Sequence, residues 1–376
     1  MNIHWKTVGG TLLVLAVVFF VAASAWIGFG LYNVSARMGH FPGMSWVFHT
    51  TYRNAVSLWS DEGRAVPDTL DDPSMIALGA KHFESACRTC HGAPGAVRSA
   101  TSRSMLPQPP HIDEAVDHWS PVELHWIVHK GIKMSGMPGW PAARQDDVWP
   151  IVAFLLSVRT DMTPERYESL TAAQLRGPKG LSLCTACHGA QGVPDNPHIP
   201  RLDILSETYI TQALTAYRGG SRQSGIMQHA ASEVPEEVLS QAATVFGNAA
   251  PPAGDGAEGA GLSDLARRGR ELAFSARMPG EDASPAPAEG VAACRVCHGP
   301  WDEELDPDYP SIAGQNAPYL EAQLRLWRAE MRGGGPMAGM MHYASQNLTD
   351  ADIEALAAYY AALPPARLNE VRDPYR

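Results

Sequence analysis

The sequence predicts an all-α protein: one N-terminal transmembrane helix followed by three small helical domains. Three observations lead there. A charge-free apolar run lies near the N-terminus, one short cysteine motif occurs three times, and a wider pattern of turns and helix starts recurs around each copy.

The motif accounts for all six cysteines. Its copies are Cys87-Arg-Thr-Cys90-His91, Cys184-Thr-Ala-Cys187-His188 and Cys294-Arg-Val-Cys297-His298. Cys-x-x-Cys pairs also serve zinc sites, redox dithiols and disulfides, but a zinc site needs further ligands for each pair. With 14 His in 376 residues, a His directly after all three pairs is not a chance pattern. It is the attachment signature of c-type haem. Two thiols three residues apart can each add across a vinyl group of one haem while the adjacent imidazole turns onto the iron. The expected cofactor is therefore three covalently bound haem c, and no cysteine is left for a disulfide or a nucleophile.

The apolar run extends from about Val8 to Leu31 without Asp, Glu, Lys or Arg, long enough to cross a bilayer at about 1.5 Å per residue. Ala23-Ser24-Ala25 resembles a signal-cleavage site, but Trp26 to Leu31 continue the run past it, which favours an uncleaved anchor. Lys6 then lies on the cytoplasmic side and everything after Tyr32 is exported. The expected location is the cytoplasmic (inner) membrane, single-pass, with the haem domains in the periplasm or outside. A net charge of −11 without a Lys/Arg cluster argues against nucleic acid as a partner.

Around each motif the same order recurs. A Pro-x-[Ile/Leu] step follows at Pro110-His111-Ile112, Pro200-Arg201-Leu202 and Pro310-Ser311-Ile312. Next comes a helix start. Ser120-Pro121-Val122-Glu123 combines an N-cap, a first-turn proline and a capping-box Glu, while Ser206 and Asn316 are candidate caps. Each repeat closes on an amphipathic helix: Asp146 to Val158, Glu236 to Phe246, and Thr349 to Leu363. Helices preceding the motif are expected at Met75 to Ala86 and Leu265 to Ala276; the counterpart around Thr171 to Leu183 is interrupted by Gly177, Pro178 and Gly180.

The expected organisation is an anchor (1–35), a periplasmic linker (36–71), domains at 72–160, 161–247 and 263–366, a Gly/Ala/Pro linker (248–262) and a C-terminal tail (367–376). Ser275 to Gly290 is expected to be an inserted loop. Since no such linker separates the first two domains, they are expected to pack as a unit, with the third attached more loosely.

A haem held by one His is a binding or catalytic centre, whereas His/Met ligation saturates the iron and suits electron transfer at raised potential. Met227 is the one methionine between His188 and the end of its repeat, 39 residues on. Met341 stands in the same register to Leu348 as Met227 to Val234, with Met340 the alternative. In the first repeat Met137, followed by Pro138, is preferred to Met134. The ordinary role of a methionine is core filler, but one at a matching distance in each repeat points to iron. Bis-His ligation is the rival, because His229 and His342 flank the chosen methionines and His125 and His129 line a first-repeat helix; these are expected to be exposed or hydrogen-bonded instead.

These residues resemble class I cytochromes c, so the predicted fold is a transmembrane helix followed by three class I cytochrome c domains. The third repeat is similar to bacterial di-haem cytochromes of that class through Pro310-Ser-Ile312-Ala-Gly314-Gln315, Tyr319-Leu320 and Met341, and the second keeps Pro200, Leu202, Tyr209, Leu214 and Met227. The first resembles single-haem domains with a Gly-Met-Pro-aromatic loop, found in membrane-anchored subunits beside periplasmic dehydrogenases or terminal oxidases. The resemblance implies that Pro110, Pro200 and Pro310 accept a hydrogen bond from the haem His.

The expected function is single-electron transfer along a periplasmic haem chain, between a respiratory oxidoreductase and its donor or acceptor. The chain is expected to be an electron-transfer subunit rather than an enzyme. Its expected partners are other subunits of a membrane respiratory complex, a dehydrogenase or a terminal oxidase. The alternative is a haem enzyme, a peroxidase or sulfur-compound oxidase with one open-coordinate haem.

Overall fold

The computed structural model describes residues 5–60, 63–133, 135–172, 180–251, 261–275, 293–300, 305–371 and 373–375, and every regular element among them is helical. Met134, the alternative ligand of the first repeat, lies outside the described residues, as do most of the 248–262 linker and all but the first residue of the Ser275–Gly290 loop.

α1 (Trp5–Gly28) has 24 residues, none buried against the rest of the chain. Its length and composition meet the demands of a bilayer crossing. The stretch expected as a plain linker contains a second helix, α2 (Met44–Ser60), which buries Val56 and Ser60 against the first repeat and sets Tyr52 5.3 Å from the Trp119 ring. Trp46, Leu58 and Trp59 remain exposed on it.

In the first repeat α3 (Pro73–Ala86) starts where Asp72 accepts the Ser74 N–H and Pro73 occupies the first turn. α4 (Pro121–Lys130) carries the Ser120/Glu123 capping box in full. α5 (Trp149–Val158), entered through a 3₁₀ turn at Asp146–Val148, is buried along almost its whole length. Helices α3 and α5 cross so closely that a Cβ on Gly79 would lie 1.8 Å from the Pro150 carbonyl oxygen. The crossing packs Phe83 on Phe154, rings 5.1 Å apart, each contributing about 2–3 kcal/mol by burial.

The helix expected to lead the second repeat, around Thr171 to Leu183, falls largely outside the described residues. Just before it, α6 (Pro164–Thr171) packs on the first repeat. Tyr167 buries between Phe83 and Phe154 and donates to Glu84 at 2.7 Å, which joins α6 to the first core. Among the described residues the second repeat has only α7 (Glu207–Arg218), α8 (Gly225–Glu233) and α9 (Glu236–Gly247) beyond its motif helix, around a small core of Leu181, Ile204, Ile210 and Phe246.

The third repeat restores the first repeat's arrangement. α10 (Asp264–Phe274) crosses α13 (Asp350–Ala362), with Gly269 against the Ala355 carbonyl as Gly79 is against Pro150. α11 (Ala317–Arg328) and α12 (Ala338–Ser345) complete it. Thr349 and Asp352 form the expected capping box. Repeats two and three share a register: Arg218 binds the Val234 carbonyl and Glu236, and Arg328 binds the Leu348 carbonyl at 2.8 Å and Asp350 at 2.7 Å.

The third repeat is not loosely attached. The Gln315 side chain accepts from the Arg201 N–H at 2.9 Å and donates to the Arg201 carbonyl at 3.1 Å, Asn316 donates to Ile199, Ser206 to Pro307, and Gln212 to Asp308. Asn316 thus leaves its helix uncapped by its side chain and uses the amide across the seam.

Candidate haem centres

Each motif folds as a short helix, Arg88–His91, Ser182–His188 and Arg295–His298. Gly92, Gly189 and Gly299 close these helices at φ 75°, 75° and 68°, a left-handed conformation that turns the chain away after the His.

In all three, the imidazole Nδ1 meets a proline carbonyl: His91 to Pro110 at 3.0 Å, His188 to Pro200 at 3.1 Å, His298 to Pro310 at 2.9 Å. A carbonyl only accepts, so Nδ1 carries the hydrogen and Nε2 keeps its lone pair. Burial lowers the basicity of each ring against this hydrogen bond, His188 to about 4, so the neutral ligand form is held at neutral pH.

No disulfide joins the six cysteines. Burial pushes the Cys87 thiol up to about 12 and Cys294 to about 11, against the thiolate that zinc or dithiol exchange requires. Among the described residues no three His, Cys, Asp or Glu side chains gather to hold a metal ion by themselves.

Met137 is half-buried in a loop closed by Ile132 N–H to the Met137 carbonyl at 3.1 Å. Met227 is half-buried in the first turn of α8, and Met341 is half-buried on α12, whereas neighbouring Met340 is 53% exposed. Three of the rival histidines have their ring nitrogens engaged elsewhere. His125, fully buried rather than exposed, bonds Arg64 and the Gln145 carbonyl, both at 2.8 Å; His229 meets the Ser85 carbonyl and His342 the Arg332 carbonyl.

Sequence reasoning missed one pair, Arg222 and Arg332. Both guanidinium groups are buried, and among the described residues the Nε of each has no hydrogen-bond partner. The signal was present: Tyr217-Arg218-x-x-x-Arg222 and Trp327-Arg328-x-x-x-Arg332 repeat one pattern after equivalent helices. Burial pushes the pKa of the Tyr209 phenol beside them up, but the two cations outweigh it and bring the phenol down to about 8. Tethering thiols, neutral imidazoles with available Nε2 and uncompensated buried cations together fit a haem, whose propionates carry negative charge.

A family profile described as cytochrome c oxidase, cbb3-type, subunit III matches residues 74–155, and one described as cytochrome c matches residues 288–363. The thiosulfate dehydrogenase electron acceptor of Thiomonas intermedia (strain K12) is 31% identical over 195 residues, covering 51% of this chain and 84% of that protein. This chain belongs to the multi-haem class I cytochromes c. Cytochrome c4 of Thiocapsa roseopersicina is 29% identical over 187 residues, 49% of this chain and 89% of its own. Cytochrome c-554(548) of Halomonas halodenitrificans (strain ATCC 12084 / NCIMB 8669) is 40% identical over 72 residues, 19% of this chain and 86% of its own.

As a class I cytochrome c the chain works by electron transfer through covalently held haem. A cytochrome needs its haem pockets stiff, so that little rearranges when the iron changes charge. The Gly79 and Gly269 crossings supply that stiffness beside the first and third motifs.

Proposed function

We propose that this chain is a tri-haem cytochrome c, anchored in the cytoplasmic membrane by α1 with domains 72–160, 161–247 and 263–366 outside, which relays single electrons between a respiratory oxidoreductase and its donor or acceptor. The observation carrying this reading is the threefold hydrogen bond from His91, His188 and His298 to a proline carbonyl. It prepares three imidazoles with the same tautomer and the same available Nε2. Cys87, Cys90, Cys184, Cys187, Cys294 and Cys297 are the tethers, and Met137, Met227 and Met341 the distal ligands. When bound, each haem supplies a one-electron iron couple.

The chain's own residues fix potential and path. Buried cores exclude water around the tethers, methionine sulfur favours the reduced state, and the direct contacts between repeats hold neighbouring centres in fixed register. The relatives named as thiosulfate dehydrogenase electron acceptors support a sulfur-compound dehydrogenase as the source of electrons. The match of residues 74–155 to an oxidase subunit supports delivery through the first domain toward a terminal oxidase.

The test is haem stoichiometry, near-infrared absorption and EPR on full-length protein extracted from membranes. Three haems per chain, all low-spin with a methionine-to-iron band and no carbon monoxide binding, are expected. A high-spin fraction near one third would instead make one centre catalytic. Release of the protein from membranes by high salt alone would sink the anchor.

A further inference from the structure

Two sides of α2 differ in what covers them. Tyr52, Val56 and Ser60 follow one another at four-residue spacing and turn onto the first repeat, where Tyr52 meets Trp119 and the helix packs on α4. Leu58 stands two residues from both Val56 and Ser60, about 200° round the helix from each, and is 71% exposed. Val47 and Thr51 share its direction, Phe48 and Trp59 border it, and all four are exposed. Two observations say what covers this apolar stripe. The first is charge: all 40 Asp and Glu of the chain lie after Ser60. Between α1 and the end of α2 the charged residues are Arg37 and Arg53, among seven Phe, Tyr and Trp, which is the composition of a membrane–water interface. The second is position. The hydroxyl of Tyr32, four residues past the end of α1, lies 3.2 Å from His40 Nδ1, and its ring is 5.8 Å from Phe41. His40 in turn meets Phe48 edge-on at 5.0 Å. This run of rings holds the start of α2 beside the end of the one described helix apolar enough to cross a bilayer.

We infer that α2 lies in the outer interface of the bilayer that α1 crosses, with the stripe of Val47 and Leu58 among the lipid headgroups and upper acyl chains. The inference rests on the reading of α1 as a membrane anchor. A single span joined by a plain linker would leave the haem domains free to swing. A second helix laid on the lipid surface does not, because its opposite side is packed on α4 and Trp119. The first repeat is thereby held against the membrane, within reach of a membrane-embedded electron partner.

The test is photolabelling of the full-length protein, unsubstituted and as Leu58→Glu, in nanodiscs of phosphatidylethanolamine and phosphatidylglycerol. A phospholipid carrying a diazirine high on its acyl chain supplies the label, and mass spectrometry maps the labelled peptides. Label is expected on both α1 and α2. Leu58→Glu is expected to lose about tenfold of the α2 label, the scale for removing one buried leucine from the lipid, with the α1 label and haem content unchanged, since Leu58 is exposed to begin with. Label confined to α1 would overturn the docking and leave the anchor standing; dimeric sedimentation of the same sample would give the stripe to a second copy. Label on neither helix would overturn both readings. Equal α2 label in Leu58→Glu would overturn the assignment of this face, and α2 label that disappears when the same lipid is photolysed in native membranes would hand the face to another subunit.

Discussion

The Asp147 carboxylate of the first repeat accepts the backbone N–H of Gly225, two residues before Met227, at 2.9 Å. The same carboxylate accepts from the Trp140 indole at 3.0 Å and Ser224 at 3.3 Å, so it links the loop after Met137 to the start of the helix bearing Met227. Burial raises its pKa, with Arg144 opposing. Removing it strands three donors. Asp147→Ala is expected to cost about 3 kcal/mol, the scale for breaking a buried charged network, and Asp147→Asn less, since one acceptor remains. Denaturant midpoints at unchanged slope would report this; a loss below about 1 kcal/mol for the alanine variant would refute the role.

The close helix crossings make a second expectation. A Cβ at Gly79 would stand 1.8 Å from the Pro150 carbonyl, and one at Gly269 would stand 1.9 Å from that of Ala355. Both obstacles are backbone, which cannot rotate aside. Gly79→Ala and Gly269→Ala should each destabilise by about 1–3 kcal/mol or more through overpacking, although alanine is the better helix former by about 1 kcal/mol. Thermal unfolding decides the sign, and a stabilised variant would show the crossing to be looser than described.

Met340 and Met341 are adjacent, yet one is 53% exposed and the other half-buried. Met341→Ala is therefore expected to remove about a third of the methionine-to-iron absorption and to open one haem to carbon monoxide. Met340→Ala should leave both readouts as they were. The reverse result would assign the iron to Met340.

Asp352 supplies a pH dependence. Burial pushes its carboxyl up, but hydrogen bonds from Thr349 and Arg268 outweigh this and hold it below the usual carboxylate range. A depressed folded-state pKa means that its stabilisation is present above the unfolded value near ~3.9 and is lost as pH falls through the folded value. Asp352→Asn should remove about 1–2 kcal/mol at neutral pH and flatten the acid side of the stability curve. An acid limb of unchanged slope in the variant would contradict the assignment.

What could be read from the sequence was local. Ser120 with Glu123 and Thr349 with Asp352 act over one helical turn, so their residue types alone announce the caps. The Cys-x-x-Cys-His spacing is similarly self-contained. What could not be read depends on partners far along the chain. α6 joins the first core because Tyr167 finds Phe83 and Phe154, and nothing in Pro164–Thr171 itself encodes that choice. The composition of the 248–262 linker suggested a loose third repeat, but flexibility of a tether says nothing about the surfaces it joins. The repeated Arg-x-x-x-Arg spacing that holds Arg222 and Arg332 is visible in the sequence, but their burial depends on how the repeats pack.

The strongest consequence of that seam falls on Gln315. Its amide is buried, and it satisfies both the N–H and the carbonyl of Arg201, the residue directly after the Pro200 whose carbonyl orients His188. One side chain of the third repeat thereby holds in place a backbone segment that sets the tautomer in the second. Gln315→Ala leaves three backbone groups without these partners, the Arg201 N–H and carbonyl and the Asn316 N–H, at a cost of about 1–3 kcal/mol for each left buried. It is expected to separate the unfolding of the second and third repeats into two transitions. Gln315→Glu should be as damaging, because a carboxylate has no N–H to give the Arg201 carbonyl and its second oxygen would face that carbonyl. Calorimetry of the full chain distinguishes the cases: two resolved transitions are expected in both variants, whereas one unchanged cooperative transition would mean that the remaining seam contacts suffice without Gln315.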